Sequence, residues 1–359
     1  LSRARSLVAN SDLPHGGRLP FGPHSRFNTG MSSASPARDV IIRPLVETEL
    51  DEAARIIRVA FAAFLGLPPE DPRRPSDSDY ARPRWTADPS SVLAAEDAGR
   101  LIGSNFATNW GSFGFFGPLT VEPEYWDRKV GQQLLAPTIE IFRRWGNRHL
   151  GLYTFAHSPK HMALYQKFGF WPRDLVAIMA KEVQRHPQMR AGRALGSDVS
   201  YFSQAAPANR EPLLEACREL TGAIFEGLDV GREIRAVADQ NLGDAVLVWD
   251  NSRLAAFGVC HTGPGSEAGS GVCYVKFAAV RPGPRASHDF DRLLGAVEAY
   301  AGATSVPTVT AGVNLARREA FQQLFSHGFR TSMQGVAMET GDANSGYNRA
   351  GVYILDDWR

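Results

Sequence analysis

The chain has 359 residues, 43% of them hydrophobic, and 39 Lys and Arg set against 38 Asp and Glu leave a net charge of +1. That length predicts two or three domains, and so even a charge balance excludes a field built to hold nucleic acid or an anionic membrane. The longest apolar run, Val59 to Leu67, is too short to span a bilayer.

Leu1 to Gly30 carries Arg3, Arg5, Arg18 and Arg26 against the single acid Asp12, with many Pro, Gly and Ser and no periodicity. It reads as a transit-type leader, a disordered tail or a gene start placed upstream of Met31, so residues 1–38 stay outside the fold argument. Ile41 to Leu45 reads as a short strand. Glu47 to Leu65 then sets Leu50, Ala53, Ile56, Ile57, Ala60 and Phe64 at helical spacing. A Pro- and Arg-rich loop runs from Pro68 to Trp85, and Asp79 and Asp88 in and beside it are candidates to line an acceptor pocket.

Strands follow around Val92–Glu96, Leu101–Asn109 and Gly114–Val121. The main helix, Gly131–Gly146, carries Leu134, Leu135, Ile139 and Phe142 on one face. His149–Ala156 is a buried strand. A helix over Pro159–Phe168 starts at a Ser158 cap with Pro159 in its first turn, and Gly169 stops it. Val176–Val183 is a last strand. Four strands preceding the main helix give a mixed α/β sheet, not a doubly wound parallel one.

The pattern then repeats. Glu96–Ala107 resembles Trp249–Cys260, with Arg100 and Arg253 offset by 153. Leu119–Leu135 resembles Phe277–Leu294 and Ala163–Phe170 resembles Phe321–Phe329; Pro123 and Pro282, like Gly169 and Gly328, are offset by 159. One insertion, in the loop His261–Gly271, accounts for the change of register. Two tandem domains of one fold are expected: residues 39–183, a linker over 184–198, and a second copy over 199–359. Trp110, Phe113, Phe115 and Phe116 read as core or interdomain packing, with an aromatic-substrate or cation–π site as the alternative. Cys217, Cys260 and Cys273 show no paired spacing, which fits a reducing cytoplasm with no zinc site or disulfide framework, and Cys260 and Cys273 read as small buried hydrophobes.

Two segments carry chemistry. Val121 to Leu135 is a strand, a polar turn with Arg128 and Lys129, and then a helix. The free N–H groups of that helix's first turn form a cradle for phosphate oxygens, and Gly131 permits close approach. Ala156 to Arg173 holds the Ser158 cap, with Tyr165 about two turns further on. Val121, Pro123 and Gly131, followed by Leu164, Tyr165, Gly169 and Phe170, resemble in order and spacing the two motifs of the GNAT superfamily of acetyl-CoA-dependent N-acetyltransferases. The resemblance covers residues 39–183 well and 197–340 more loosely. It departs at Trp126, where the family has Arg or Gln, at Lys129, a glycine position, and at Ser158 and His161, which replace Asn and Ala. In the second copy His288 and Phe290 replace both glycines and Leu324 the tyrosine, so that copy is expected to be structural or to shape the acceptor site.

The resemblance implies acetyl transfer from acetyl-CoA, as cosubstrate, to an amine, with a small-molecule acceptor preferred and with no nucleic-acid or membrane partner. It also implies that backbone at Leu119, Thr120 and Val121 serves the thioester, that Arg128, Lys129, Val130, Gly131, Gln132, Gln133 and Ser158 hold the cofactor, and that Tyr165 is the general acid. His157, Glu122 or a water chain supplies the base, with His157 the best-placed ionisable group. A non-catalytic acyl-CoA sensor is the alternative, and a homodimer stays open.

Overall fold

The computed structural model describes residues 40–68, 77–183, 198–341 and 345–359. The leader, the linker as far as residue 197 and the middle of the loop after Pro68 lie outside the described residues.

The first half runs β1 (Ile41–Pro44), α1 (Leu50–Leu65), α2 (Ala81–Ala87), β2 (Val92–Asp97), β3 (Arg100–Trp110), β4 (Phe113–Phe116), β5 (Thr120–Val121), α3 (Val130–Trp145), β6 (His149–Thr154), α4 (Pro159–Gln166) and β7 (Phe170–Glu182). The second half repeats this order as β8 (Val199–Tyr201), α5 (Pro207–Ile224), α6 (Gly231–Asp239), β9 (Gly243–Asp250), β10 (Arg253–Gly263), β11 (Gly269–Val280), α7 (Ala286–Ala303), β12 (Thr308–Asn314), α8 (Arg318–Ser326) and β13 (Arg330–Thr340), and adds a short β14 (Ile354–Leu355).

Two of these elements differ from the sequence reading for local reasons. The strand expected over Gly114–Val121 breaks at residues 117–119, because Pro118 has no N–H to give a ladder, and β4 and β5 pair separately with β3. Within the loop after Pro68 lies α2, two turns long and too short to show an apolar period. Asp79 starts it by accepting from the N–H groups of Ala81 and Arg82, at 2.7 and 3.2 Å.

The fourteen strands of the described residues join one mixed sheet, in the order β1-β2-β3-β4-β6-β13-β7-β12-β11-β10-β9-β8 along its main path. The last strand of each half crosses to the other. β13 pairs antiparallel with β6, Ala337 opposite Tyr153, while β7 pairs antiparallel with β12, Ala177 opposite Val313. Residues Asp39–Arg359 accordingly form one compact unit. A chain ended after Val183 leaves the far edge of β6 open and strips β7 of both neighbours. Such a fragment is expected to yield no folded monomer, as size-exclusion chromatography with circular dichroism would record.

Packing also joins the halves. Trp110, Phe113 and Phe115 share a core with Phe257, Phe277 and Trp358, and the Trp110 and Phe277 rings meet edge-on at 5.2 Å. Beside this core lies a buried ionic cluster. Arg84 on α2 forks onto Glu267 of the β10–β11 hairpin with two bonds of 2.8 Å. Lys276 reaches Glu267 at 2.6 Å and Glu233 at 3.0 Å. Arg84 also donates to the carbonyl of Gly117, at the break between β4 and β5. Cys260 and Cys273 are buried and unbridged.

Candidate active site

β4 and β6 run parallel only from Phe113–His149 to Phe115–Gly151. Beyond that point β4 breaks and the two strands fork. A cleft of about 530 Å³ opens there, walled by the C-terminal end of α1, by β5, by the loop into α3 and by α4.

The loop is shaped for an anion. Asp127 and Lys129 both take left-handed backbone, with φ of 65° and 62°, a region that favours glycine and that accounts for the glycine the motif calls for at Lys129. The turn is held by a Lys160–Asp127 ion pair of 2.6 Å, by the Trp126 indole donating to the Val121 carbonyl at 2.7 Å, and by Arg128 lying over the Tyr125 ring at 4.9 Å. The first turn of α3, Val130 to Gln132, then lines the cleft, and a first helical turn carries N–H groups with no partner inside the helix.

At Gly131 an added Cβ would meet only ordinary contacts, Leu164 at 3.6 Å and Leu119 at 3.8 Å, so glycine there serves space for a ligand more than it serves the fold. Gly131→Asp is expected to keep or slightly raise the thermal midpoint, since an acid in a first helical turn favours the helix dipole by about 0.3–1 kcal/mol. The same variant is expected to weaken any anionic ligand of the cleft at least tenfold, with coenzyme A the one to titrate by calorimetry, because the new charge would repel it.

The other wall carries the ionisable groups. Ser158 caps α4, accepting from the His161 N–H at 3.4 Å. Tyr165 is buried and hydrogen-bonded to Thr154 on β6; burial pushes its phenol far above 10, and that bond offsets part of the shift. Its ring meets Phe116 at 5.7 Å. Phe64 of α1 is a platform for two imidazoles, His157 at 5.6 Å and His161 at 4.9 Å. Burial first, then the charges of Lys160 and His157, push His161 below its ordinary 6.5. The Thr120 hydroxyl is buried in the cleft wall without a hydrogen-bond partner.

Leu119, Thr120, Val121, Lys129, Val130, Gly131, Gln132, Ser158 and Tyr165 thus come together on one cleft. Three expected site residues stand off its wall. Arg128 is turned onto Tyr125. The Gln133 N–H is already bound to the Lys129 carbonyl at 3.1 Å, so it adds nothing to the cradle. His157 is exposed at the end of β6, touching the cleft through Phe64.

Glu122 is a poor base. Burial pushes its carboxyl up, but bonds from Arg55 at 2.6 Å and Arg100 at 2.7 Å outweigh that and hold it below its ordinary value. Asp79 caps α2, and Asp88 pairs with Arg232 and caps the turn before β2. The sequence reading passed over Phe61, Phe64, Trp126 and His161 as wall residues. A signal existed for His161, which lies four residues before Tyr165 and therefore on the same helix face.

Residues 57–170 match the family model of the acetyltransferase (GNAT) family. Across both halves the fold is similar to that of a Pyrococcus horikoshii protein assigned as an acetyltransferase, with a TM-score of 0.61 and 15% identity over 89% of this chain and 95% of that one. It is also similar to a GCN5-related N-acetyltransferase from Sphaerobacter thermophilus, with a TM-score of 0.53 and 15% identity over 85% and 98%. A tandem GNAT protein from the clavulanic acid biosynthesis pathway gives a TM-score of 0.51 and 14% identity over 85% and 100%. No curated protein matches the sequence. Among the described residues no helix is long and apolar enough to cross a membrane.

Proposed function

We propose that the first-half cleft transfers acetyl from acetyl-CoA to a small-molecule primary amine, with Tyr165 as general acid, because residues 57–170 match the model of the GNAT acetyltransferase family, whose acyl donor is acetyl-CoA. The observation that carries this reading is the fork itself: strand edge, phosphate-shaped loop and Tyr165 line one continuous cleft.

The α3 first turn, with Lys129 beside it, takes the pyrophosphate. The β5 edge at Leu119–Val121 presents backbone N–H to the thioester oxygen as it becomes an oxyanion. The neutral amine attacks the carbonyl carbon, a C–N bond forms, and the C–S bond breaks with its electron pair on sulfur. Tyr165 donates a hydrogen bond to that sulfur. With the phenol held far above 10, Tyr165 is protonated when the C–S bond breaks and shares its proton with the departing sulfur as general acid. The ammonium proton leaves through His157 at the cleft mouth and the neighbouring His161. An apolar cleft side built from Phe61, Phe64 and Phe155 favours a small acceptor, since it offers no acidic groove for a protein substrate.

The test is a panel of amines with acetyl-CoA, following release of free thiol. Turnover on small amines supports the reading, and coenzyme A binding with no turnover on any amine favours the sensor alternative. His161 gives a second handle. Its folded-state pKa lies below the unfolded value, so the unfolded chain binds the extra proton and stability falls as pH drops through and below 6.5. His161→Gln is expected to flatten that acid limb in thermal melts between pH 5 and 7, and His157→Ala to lower kcat and shrink the limb only in part, since burial and Lys160 still hold His161 down.

A further inference from the structure

The second half contains the same fork. β11 and β12 run parallel from Val272–Thr308 to Val275–Ala311, the positions that a shift of 159 residues makes from the β4–β6 pairing. This second fork is filled. Ile354 and Leu355 of β14 pair antiparallel with Ala279 and Ala278, and the Val280 N–H donates to the Tyr353 carbonyl at 3.0 Å. Ala278–Val280 are the counterparts of Leu119–Val121, the strand edge of the open cleft.

The remaining wall positions have changed to suit a peptide. Gly131 corresponds to Phe290, whose ring packs on Tyr353 at 5.1 Å. Ser158 corresponds to Arg317, which donates to the Ile354 carbonyl at 3.0 Å and pairs with Asp356 at 2.8 Å. Tyr165 corresponds to Leu324, in one apolar cluster with Tyr353 and Leu355. The loop is gone too: α7 begins at Ala286, the counterpart of Asp127, so helix replaces the left-handed turn. Ile354 is 0% exposed and Arg317 0%.

We propose that the segment Tyr353–Asp356 is a resident ligand of the second fork, holding by backbone pairing the place that acyl-CoA takes in the first, so that the chain binds one acyl-CoA and its second cleft is permanently closed. Arg317 is the positioning residue that holds the segment at both a carbonyl and a carboxylate. The second half is then a scaffold: its closed fork fixes β12, against which β7 pairs, and with it the centre of the shared sheet. This inference rests on the reading that the first cleft takes acetyl-CoA.

The experiment is calorimetry of the full chain with acetyl-CoA, combined with hydrogen–deuterium exchange with and without it. One equivalent is expected, with slowed exchange at residues 119–121 and unchanged, slow exchange at 278–280 and 353–356. Two equivalents, or exchange at 353–356 that rises when acetyl-CoA is added, overturns the resident ligand. No binding at all overturns the first-cleft reading instead, whatever the exchange at the segment. In Arg317→Ala, exchange at 353–356 is expected to speed up at least tenfold while Kd for acetyl-CoA stays within twofold. Unchanged exchange there rejects Arg317 as the anchor. If that variant does not fold, stoichiometry and exchange on the unaltered chain decide.

Discussion

Tyr165→Phe is expected to lower kcat by roughly 10²–10⁴ while leaving the Kd for coenzyme A within about twofold, since loss of a positioned proton donor removes an interaction made mainly in the transition state. The substitution takes one oxygen from a buried ring that otherwise packs on Phe116, so the fold should hold. Thr154 then loses its partner, a cost of about 1 kcal/mol. Because burial keeps the phenol far above 10, the wild-type rate should show no limb from this group between pH 6 and 9. Steady-state kinetics beside calorimetry checks both halves of the expectation. Equal losses in coenzyme A binding and turnover would assign Tyr165 to binding, and unaltered turnover would remove it from the chemistry.

Glu267→Ala should be strongly destabilising, by about 3–5 kcal/mol, because it strands the buried Arg84 guanidinium and leaves Lys276 with Glu233 as its one carboxylate partner. The whole cluster sits where the halves meet, and Arg84 also holds the Gly117 carbonyl at the strand break, so activity should fall together with stability. The pH sign follows from the same contacts. Burial alone would raise the Glu267 carboxyl, but Arg84 and Lys276 hold it far below 4.5. Its contribution is therefore complete above 4.5 and is lost as pH falls below that value toward the folded-state pKa. Denaturant melts at pH 7 and pH 3.5 separate the cases: the wild type should weaken between them more than Glu267→Ala does. A loss under about 1 kcal/mol at pH 7 would mean that water reaches the cluster.

Much of the site was legible because its signals are local. Ser158 followed by Pro159 favours a helix start on local grounds, and the cap is present. The turn before α3 announced itself through Val121, Pro123 and Gly131 at the spacing a strand-to-helix phosphate cradle requires, and these residues line the fork or lead into it. Phe64 shows the limit of a period. It falls on the apolar stripe of α1, yet it faces the cleft and carries two imidazoles where a core residue would be enclosed. Spacing gives a side chain's direction on its own helix, while what lies opposite depends on elements far away in the chain.

Residue order is enough to show that one fold occurs twice, that only the first copy keeps the glycine and tyrosine of the motifs, and where most helices begin and end. Tertiary structure alone decided which strands are neighbours. Alternation identifies a strand and its inward face but carries no record of its partner, so the exchange of β7 and β13 between halves could not be read from either segment. For the same reason residues 345–359 carry no sign in their order that Ile354 and Leu355 enter the second fork. Their place is set by the free edge at Ala278 and Ala279, by the ring of Phe290 and by Arg317, more than thirty residues earlier. Unpaired backbone in a buried fork must find a partner, and in the second half the chain supplies its own.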